Sequence, residues 1–382
     1  MLTQTKRPHH QSCLTGSQAW HKSVATFFKP NEWVAESLRG DLKMRTLAFF
    51  SLLFVSPLFP GLELNAATVE QVVAAAKKEG SLEFYAPGTL TAQGAKQLED
   101  AFNKKFSTDI RVSYSPSGSM TADVSKYISE AAAGNPPQWD VMVLIDALHG
   151  SIWKRKLHVP FDYGRLGVSE KAIHYNNGTV SFANQVVLPA YNSKNMDPKD
   201  IPKRWEDLLD PKWKGKLGMV TGVGHIDYLA IRWGEKKFLD FGRALAKQNP
   251  VPGKLGELYT RLQIGEIALT TTLTNSFIIR AQKEGAPLEH AQVQPVVAPA
   301  YHVGVLKGSR RTNAAHLFAS FLLTPDAQSI WERYNGQSSA FVPGTKTYNY
   351  VQGKDVIYLS QNDVDLVNRA VIEVNKILGF NP

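Results

Sequence analysis

At 382 residues, 43% apolar and 20% charged, the chain has the composition of a soluble globular protein, long enough for two domains and a sizeable core. Its net charge of +9 is a mild excess without any run of five basic residues, which argues against a nucleic-acid partner. The only cysteine is Cys13, so the body of the chain has no thiol, can hold neither a disulfide nor a Cys-ligated metal, and is indifferent to an oxidising compartment.

Residues 1–42 are polar and aperiodic, with His9, His10, Trp20 and Trp33 scattered through them. Lys43-Met44-Arg45 then opens a nearly charge-free stretch that ends at Glu63-Leu64-Asn65-Ala66-Ala67. A basic start, a short apolar run and small residues at its end are the three parts of a secretory signal. Pro57 and Pro60 leave about eleven clean apolar residues, where a bilayer span needs about 20. We therefore expect a cleaved signal over residues 44–66 and export to the periplasm. Residues 1–43 are expected to be a mis-assigned or disordered extension, with translation starting at Met44.

From Val69 onward, short β-runs alternate with helical patterns. Val69, Val72, Val73 and Ala76 recur at helical spacing, and Lys77-Lys78-Glu79-Gly80 supplies a basic last turn with a glycine stop. Strands are predicted over 81–86, 110–114 and 140–145, with helices over 91–106 and 121–133 between them. Crossovers of helical length imply a parallel sheet covered by helices. Residues 180–191 read as one long strand. A strand follows at 218–221, helices at 228–248 and 256–264, another strand at 267–271, and a helix at 277–284. Residues 293–305 read as an extended strand, and helices follow at 312–322 and 362–378. The pattern predicts two α/β units joined by extended segments near 185–192 and 293–300, a hinged arrangement that grips a ligand between its halves.

The sequence resembles the periplasmic binding proteins of the ferric-iron, thiamine and phosphonate type of ABC importer. The resemblance rests on Lys78-Glu79-Gly80-Ser81-Leu82, on Leu188-Pro189-Ala190-Tyr191-Asn192 and, above all, on Trp205-Glu206-Asp207-Leu208-Leu209-Asp210-Pro211-Lys212-Trp213-Lys214-Gly215-Lys216. It continues in Gly265-Glu266-Ile267-Ala268-Leu269, Glu284-Gly285-Ala286-Pro287 and Phe321-Leu322-Leu323-Thr324-Pro325-Asp326-Ala327-Gln328. It implies a two-lobed type II periplasmic-binding-protein fold, each lobe a mixed sheet flanked by helices, with two hinge crossovers. Lobe one would comprise 67–187 plus 297–340, and lobe two 188–296 plus 341–382. It further implies passive capture of a small molecule, delivery to an ABC permease in the cytoplasmic membrane, no cofactor and a monomeric protein.

Iron-binding members of this group carry an adjacent tyrosine pair shortly after the Gly-Glu-Ile strand. Here that stretch is Thr270-Thr271-Thr272-Leu273-Thr274-Asn275-Ser276-Phe277. Ferric ion wants anionic oxygens, whereas Thr272 and Asn275 offer a neutral hydroxyl and amide suited to an organic solute. Ligands of open parallel sheets sit off the carboxyl ends of the strands, at loops and helix N-termini. Thr89, the Ser117-Gly118-Ser119 turn and the Thr221-Gly222…His225 turn are expected there, where backbone N–H groups and hydroxyls receive an anion. The same residues would equally serve as helix caps and plain turns. Tyr191, Tyr301 and His302 fall on the hinge segments and are expected to line the cleft floor. Asp146, just past the third strand, is a candidate for a ligand ammonium and equally for a helix cap. No third ligand accompanies His302 at metal-binding spacing, so no metal is expected.

An anionic organic solute is the expected ligand, with ferric ion, a sensing role and hydrolysis as the competing readings. Catalysis is not expected. Ser117 lacks the Gly-x-Ser-x-Gly surround of a nucleophile elbow, and Gly222-Val223-Gly224 continues without the third glycine of a dinucleotide loop.

Overall fold

A computed structural model describes residues 68–222 and 224–380; the expected signal segment and the extension before it lie outside the described residues. Helix α1 (Val69–Glu79) opens at Thr68, whose hydroxyl accepts from the Gln71 N–H while the Gln71 side chain accepts from the Thr68 N–H. It stops at Gly80, whose φ of +66° suits a residue without a Cβ. The chain continues through β1 (Ser81–Pro87), α2 (Thr91–Phe106), β2 (Arg111–Ser117), α3 (Met120–Ala132), β3 (Val141–Ile145) and α4 (Asp146–Lys154). Next come β4 (Ile173–His174), β5 (Thr179–Asn184), β6 (Val187–Asn192), β7 (Leu217–Val220), α5 (Leu229–Trp233), α6 (Glu235–Ala246), β8 (Val251–Gly253) and α7 (Leu255–Gln263). The remainder is β9 (Leu269–Thr274), α8 (Asn275–Lys283), β10 (Leu288–His290), β11 (Val296–Val297), β12 (Ala300–Val305), α9 (Thr312–Phe321), α10 (Pro325–Asn335), α11 (Lys346–Val351), β13 (Val356–Ile357) and α12 (Val364–Leu378).

The strands form two mixed sheets. The first runs β2-β1-β3-β12-β5-β4, parallel among β2, β1 and β3 and antiparallel at β12 and beyond. The second runs β13-β11-β6-β9-β7-β8, with β10 also paired to β6. The predicted long strands at 180–191 and 293–305 are each two strands in different sheets. The chain changes sheet at Gln185-Val186 and again at Ala298-Pro299, and the Gln185 N–H donates to the Pro299 carbonyl at 2.8 Å, so the two crossovers lie side by side. A third segment joins them: the Asn184 N–H donates to the Ser338 carbonyl, and the Ala340 N–H donates to Asn184 Oδ1, both at 2.9 Å.

Other elements shift for local reasons. The helix predicted at 228–248 is broken by Gly234, whose φ of +80° opens α6. β2 runs on through Pro116, which a strand at the sheet edge tolerates because its N–H is not needed. β9 starts later and ends later than predicted, making Thr272 a strand residue.

Alternation along β1 sends Phe84 and Tyr85 to opposite faces of the first sheet. Phe84, Phe102, Phe318 and Phe321 pack beneath α1, α2 and α9, with Phe84–Phe318, Phe102–Phe318 and Phe102–Phe321 centroids 4.9, 5.2 and 5.5 Å apart. Each such pair adds roughly 0.5–1.5 kcal/mol beyond burial. Tyr85 packs with Trp139, Tyr127 and Met142 on the other face. In the second lobe Trp205 is fully buried, its Nε1 donating to the Pro295 carbonyl at 2.9 Å, and Trp213 Nε1 donates to the Asp207 carbonyl at 3.0 Å. The tryptophans of the most specific sequence match are thus framework.

Gly304 on β12 faces a filled space. A Cβ there would lie 3.0 Å from His149 Cε1, 3.0 Å from Thr179 Cγ2 and 3.1 Å from His158 Cδ2. Gly304→Ala is expected to lower stability by about 1–3 kcal/mol, read as a reduced urea midpoint at unchanged m-value.

Candidate functional site

Loops from the carboxyl ends of strands in both sheets meet in a crevice of about 470 Å³. Thr89 comes from the end of β1, His225 from beyond β7 and Thr274 from the end of β9. Gln185 in the first crossover and Tyr301 at the start of β12 complete the central wall. Helix α8 contributes Arg280 and Lys283, and α10 contributes Arg333, Tyr334 and Asn335.

Among the described residues, three cations and no carboxylate line this crevice. Arg280 Nε donates to Glu284 Oε1 at 2.7 Å, and its guanidinium lies 5.1 Å over the Tyr259 ring, so part of its charge is met from outside the crevice. Lys283 has no ion-pair partner among the described residues, and Arg333 reaches only the neutral Gln97 Oε1 at 3.5 Å. Positive potential therefore accumulates where little competes for it.

The polar groups of the floor are partly unpaired. His225 is buried with a left-handed φ of +62°, a conformation uncommon for a residue with a Cβ. Burial pushes its imidazole down to about 4, so at neutral pH it acts as an uncharged hydrogen-bonding group. Its Nδ1 and the Oε1 of buried Gln337 have no partner among the described residues. Burial also raises the Tyr301 phenol, which stays protonated. Thr89 is oriented by donating to Asn335 Oδ1, and Gln97 Nε2 donates to the Tyr334 hydroxyl at 3.1 Å.

Of the residues expected at the site, the structure brings Thr89, His225 and Tyr301 into this crevice. Ser117, Gly118 and Ser119 lie beside the β1 loop, since Pro87 pairs with Ser117, but they do not line it. The Ser117 hydroxyl accepts from Tyr85, while Ser119 caps α3 by accepting from the Ala122 N–H. Thr221 is tied by its N–H to the Gly253 carbonyl at 3.0 Å, and Gly222 turns the chain at φ +84°. Asn275 is a fastener: its N–H donates to the Val186 carbonyl, its Oδ1 accepts from the Val186 N–H, and its Nδ2 donates to the Gly336 carbonyl.

Four expected positions point elsewhere. Thr272 is an interior strand residue, 1% exposed, beneath Gly224. Tyr191 donates to Glu289 Oε2 at 3.1 Å on the neighbouring β10. Asp146 accepts from the Tyr228 hydroxyl and from the Ala147 and Ala300 N–H groups and is 1% exposed, so it is closed off from a ligand ammonium. His302 is 1% exposed and lies among His149, His158 and His174. Successive strand residues face opposite sides, so Tyr301 and His302 cannot both face the crevice.

The sequence reading missed Arg280, Lys283, Arg333 and Gln337. The signal for α10 was present in Thr324-Pro325-Asp326, a capping residue followed by proline at the first helical position; the Thr324 hydroxyl accepts from the Ala327 N–H. The spacing of Arg280 and Lys283 puts them on one helix face.

Two lobes, each a mixed sheet flanked by helices, joined by paired crossovers with a crevice between them, define a type II periplasmic-binding-protein fold. The chain belongs to the family described as Bacterial extracellular solute-binding protein, which it matches over residues 82–335. Its fold is similar to that of iron-bound HitA from Pseudomonas aeruginosa, with a TM-score of 0.62, 19% identity, and coverage of 78% of this chain and 99% of that one. It is also similar to ferric iron-binding protein A of Mannheimia haemolytica in an open conformation, at TM-score 0.64, 13% identity, 79% of this chain and 100% of that one. The Trichodesmium protein IdiA (FutA), in complex with iron and citrate, gives TM-score 0.63, 17% identity, 79% and 100%. These identities establish a common fold and nothing finer. A Haemophilus influenzae protein described as uncharacterized is 29% identical over 146 residues, 35% of this chain; the match spans only 41% of that relative's length.

Proposed function

We propose that this chain captures a small organic anion in the inter-lobe crevice, outside the cytoplasmic membrane, and delivers it to the permease of an ABC-type importer. The observation that carries this reading is a crevice with Arg280, Lys283 and Arg333 on its walls and, among the described residues, no carboxylate there and no partner for polar atoms of His225 and Gln337. An anion satisfies the cations, and hydroxyl or amine groups on its body meet Thr89, Tyr301 and Gln337. Contact with both lobes makes ligand favour the closed arrangement, and affinity follows that difference. A ferric ion held by protein groups alone would have Tyr301 and Tyr334 as its only potential anionic oxygens among the described lining residues, and burial keeps the Tyr301 phenol protonated.

The test is a thermal-shift and calorimetric screen of the exported protein against phosphate esters, phosphonates, carboxylates, matched neutral polyols, amines and ferric citrate. An anion present at 100 Kd is expected to add about 2.7 kcal/mol of stability. Arg280→Ala with Lys283→Ala is expected to weaken the best anion at least tenfold (about 1.4 kcal/mol). Stabilisation by cations or neutral solutes alone would overturn the proposal, and turnover of an ester lost in Ser117→Ala would replace it with hydrolysis.

A further inference from the structure

A cavity of about 810 Å³, larger than the crevice and sharing no lining residue with it, opens where α4, the following loop and residues 175–176 come together. Trp153, Val159 and Pro160 form an apolar wall, with the buried Tyr175 ring behind it. Lys154, Lys156 and Lys307 stand around it, and no carboxylate lines it among the described residues. The Lys154 ammonium is taken by Asp365, whereas Lys156 and Lys307 are exposed with no ion-pair partner among the described residues.

Two tight turns frame this cavity. Lys156, Tyr175 and Asn176, all lining residues, have φ of +55°, +53° and +52°. Lys156 ends the turn after α4, its N–H donating to the Trp153 carbonyl at 2.8 Å, and Tyr175 and Asn176 turn the chain between β4 and β5. His158, also on the wall and 7% exposed, has an Nδ1 with no partner among the described residues. The cavity adjoins a contact between the lobes: Trp153 packs on the core of lobe two, and Asn176 exchanges two hydrogen bonds with Gln361, at 3.1 and 2.9 Å.

We infer that this cavity is a second ligand site, for a small amphiphilic anion whose flat apolar body lies against Trp153 and Pro160 while its acidic group meets Lys156 and Lys307. An aromatic face stacks on such a wall, and a carboxylate, sulfonate or phosphate supplies the charge that the two free ammonium groups lack. A wholly apolar occupant would leave the lysines idle, and a small inorganic anion would leave the wall bare.

The probe is 1-anilinonaphthalene-8-sulfonate, titrated by fluorescence into the native full-length protein at pH 7.5. One molecule per chain is expected to bind with micromolar affinity. Lys156→Glu with Lys307→Glu, both at exposed positions, is expected to weaken binding at least tenfold (about 1.4 kcal/mol). The melting temperature and circular dichroism of that variant report whether the fold is retained, and Lys156→Ala gives a milder step in the same direction. Arg280→Glu in the crevice is expected to leave the titration unchanged. Failure of the native protein to bind the probe, undiminished binding by the double variant, or loss of binding in Arg280→Glu would each overturn the inference. The last outcome would place the probe in the inter-lobe crevice and leave the solute-capture proposal standing.

Discussion

Replacing Asp146 by alanine is expected to cost about 3–5 kcal/mol, because three enclosed donors lose their acceptor at about 1–3 kcal/mol each, less what the buried charge itself costs. Its Oδ1 accepts from the Tyr228 hydroxyl at 2.7 Å and from the Ala147 N–H at 2.8 Å, and its Oδ2 accepts from the Ala300 N–H at 3.0 Å. Asp146 opens α4 in lobe one, Tyr228 belongs to the core of lobe two, and Ala300 lies where the second crossover enters β12. The Asp146 carbonyl in turn accepts from the Tyr175 hydroxyl at 2.7 Å. Removal of the carboxylate leaves these donors enclosed without acceptors. Asp146→Asn is no rescue, since one oxygen becomes an NH₂ facing a donor; an intermediate loss of about 1–3 kcal/mol is expected. Equilibrium urea unfolding measures both variants. A loss below about 1 kcal/mol for Asp146→Ala would show that water replaces the carboxylate and that the junction does not depend on it.

This junction shows what the sequence conveys and what it withholds. α2 was legible to the residue, and β1 and β3 to within a residue or so, because periodicity and flanking glycine or proline mark local elements. The crossovers were legible as places but not as structures. An apolar run such as 180–191 looks the same whether it stays in one sheet or leaves it at Gln185, since only the partner strands decide. Asp146 was recognised as a special position after β3, yet its partners lie 82 and 154 residues away. The crevice divides the same way. Thr89 and His225 follow strands and could be placed by topology, whereas Arg280, Lys283 and Arg333 sit on helices that only the folded lobes bring face to face. Tyr301 and His302 stood together in the sequence and part company in the strand.

Acidification from pH 7 to pH 5 is expected to lower the melting temperature by at least about 10 °C, several kcal/mol in a protein of this size. All seven histidines among the described residues have depressed pKa values with burial as the leading cause. His149, His174, His225 and His290 fall to about 4, His316 falls to about 3, and His158 and His302 lie well below 6.5. The unfolded chain takes up protons near 6.5, where the fold refuses them, so stability drops as pH falls from 6.5 towards 4. Two buried carboxylates work in the opposite sense. Burial raises Asp146 to about 6 and Asp227 to about 7, so each costs stability as pH rises above 3.8 and returns it on acidification. Seven imidazoles against two carboxyls leave the acid side the weaker. Four of the seven form one cluster, with His149 Nδ1 3.0 Å from His158 Nε2 and the His174 and His302 rings 4.6 Å apart, so the first proton to enter repels the next. Its other close neighbours, the Thr179 hydroxyl on His302 and the Tyr175 ring beside His158, are neutral and offer a proton no counter-charge. His158→Gln with His174→Gln removes two titrating groups and is expected to flatten the dependence of melting temperature on pH measured by calorimetry. A native protein whose melting temperature holds constant between pH 7 and 5 would mean that the fold opens to water around these rings at little cost.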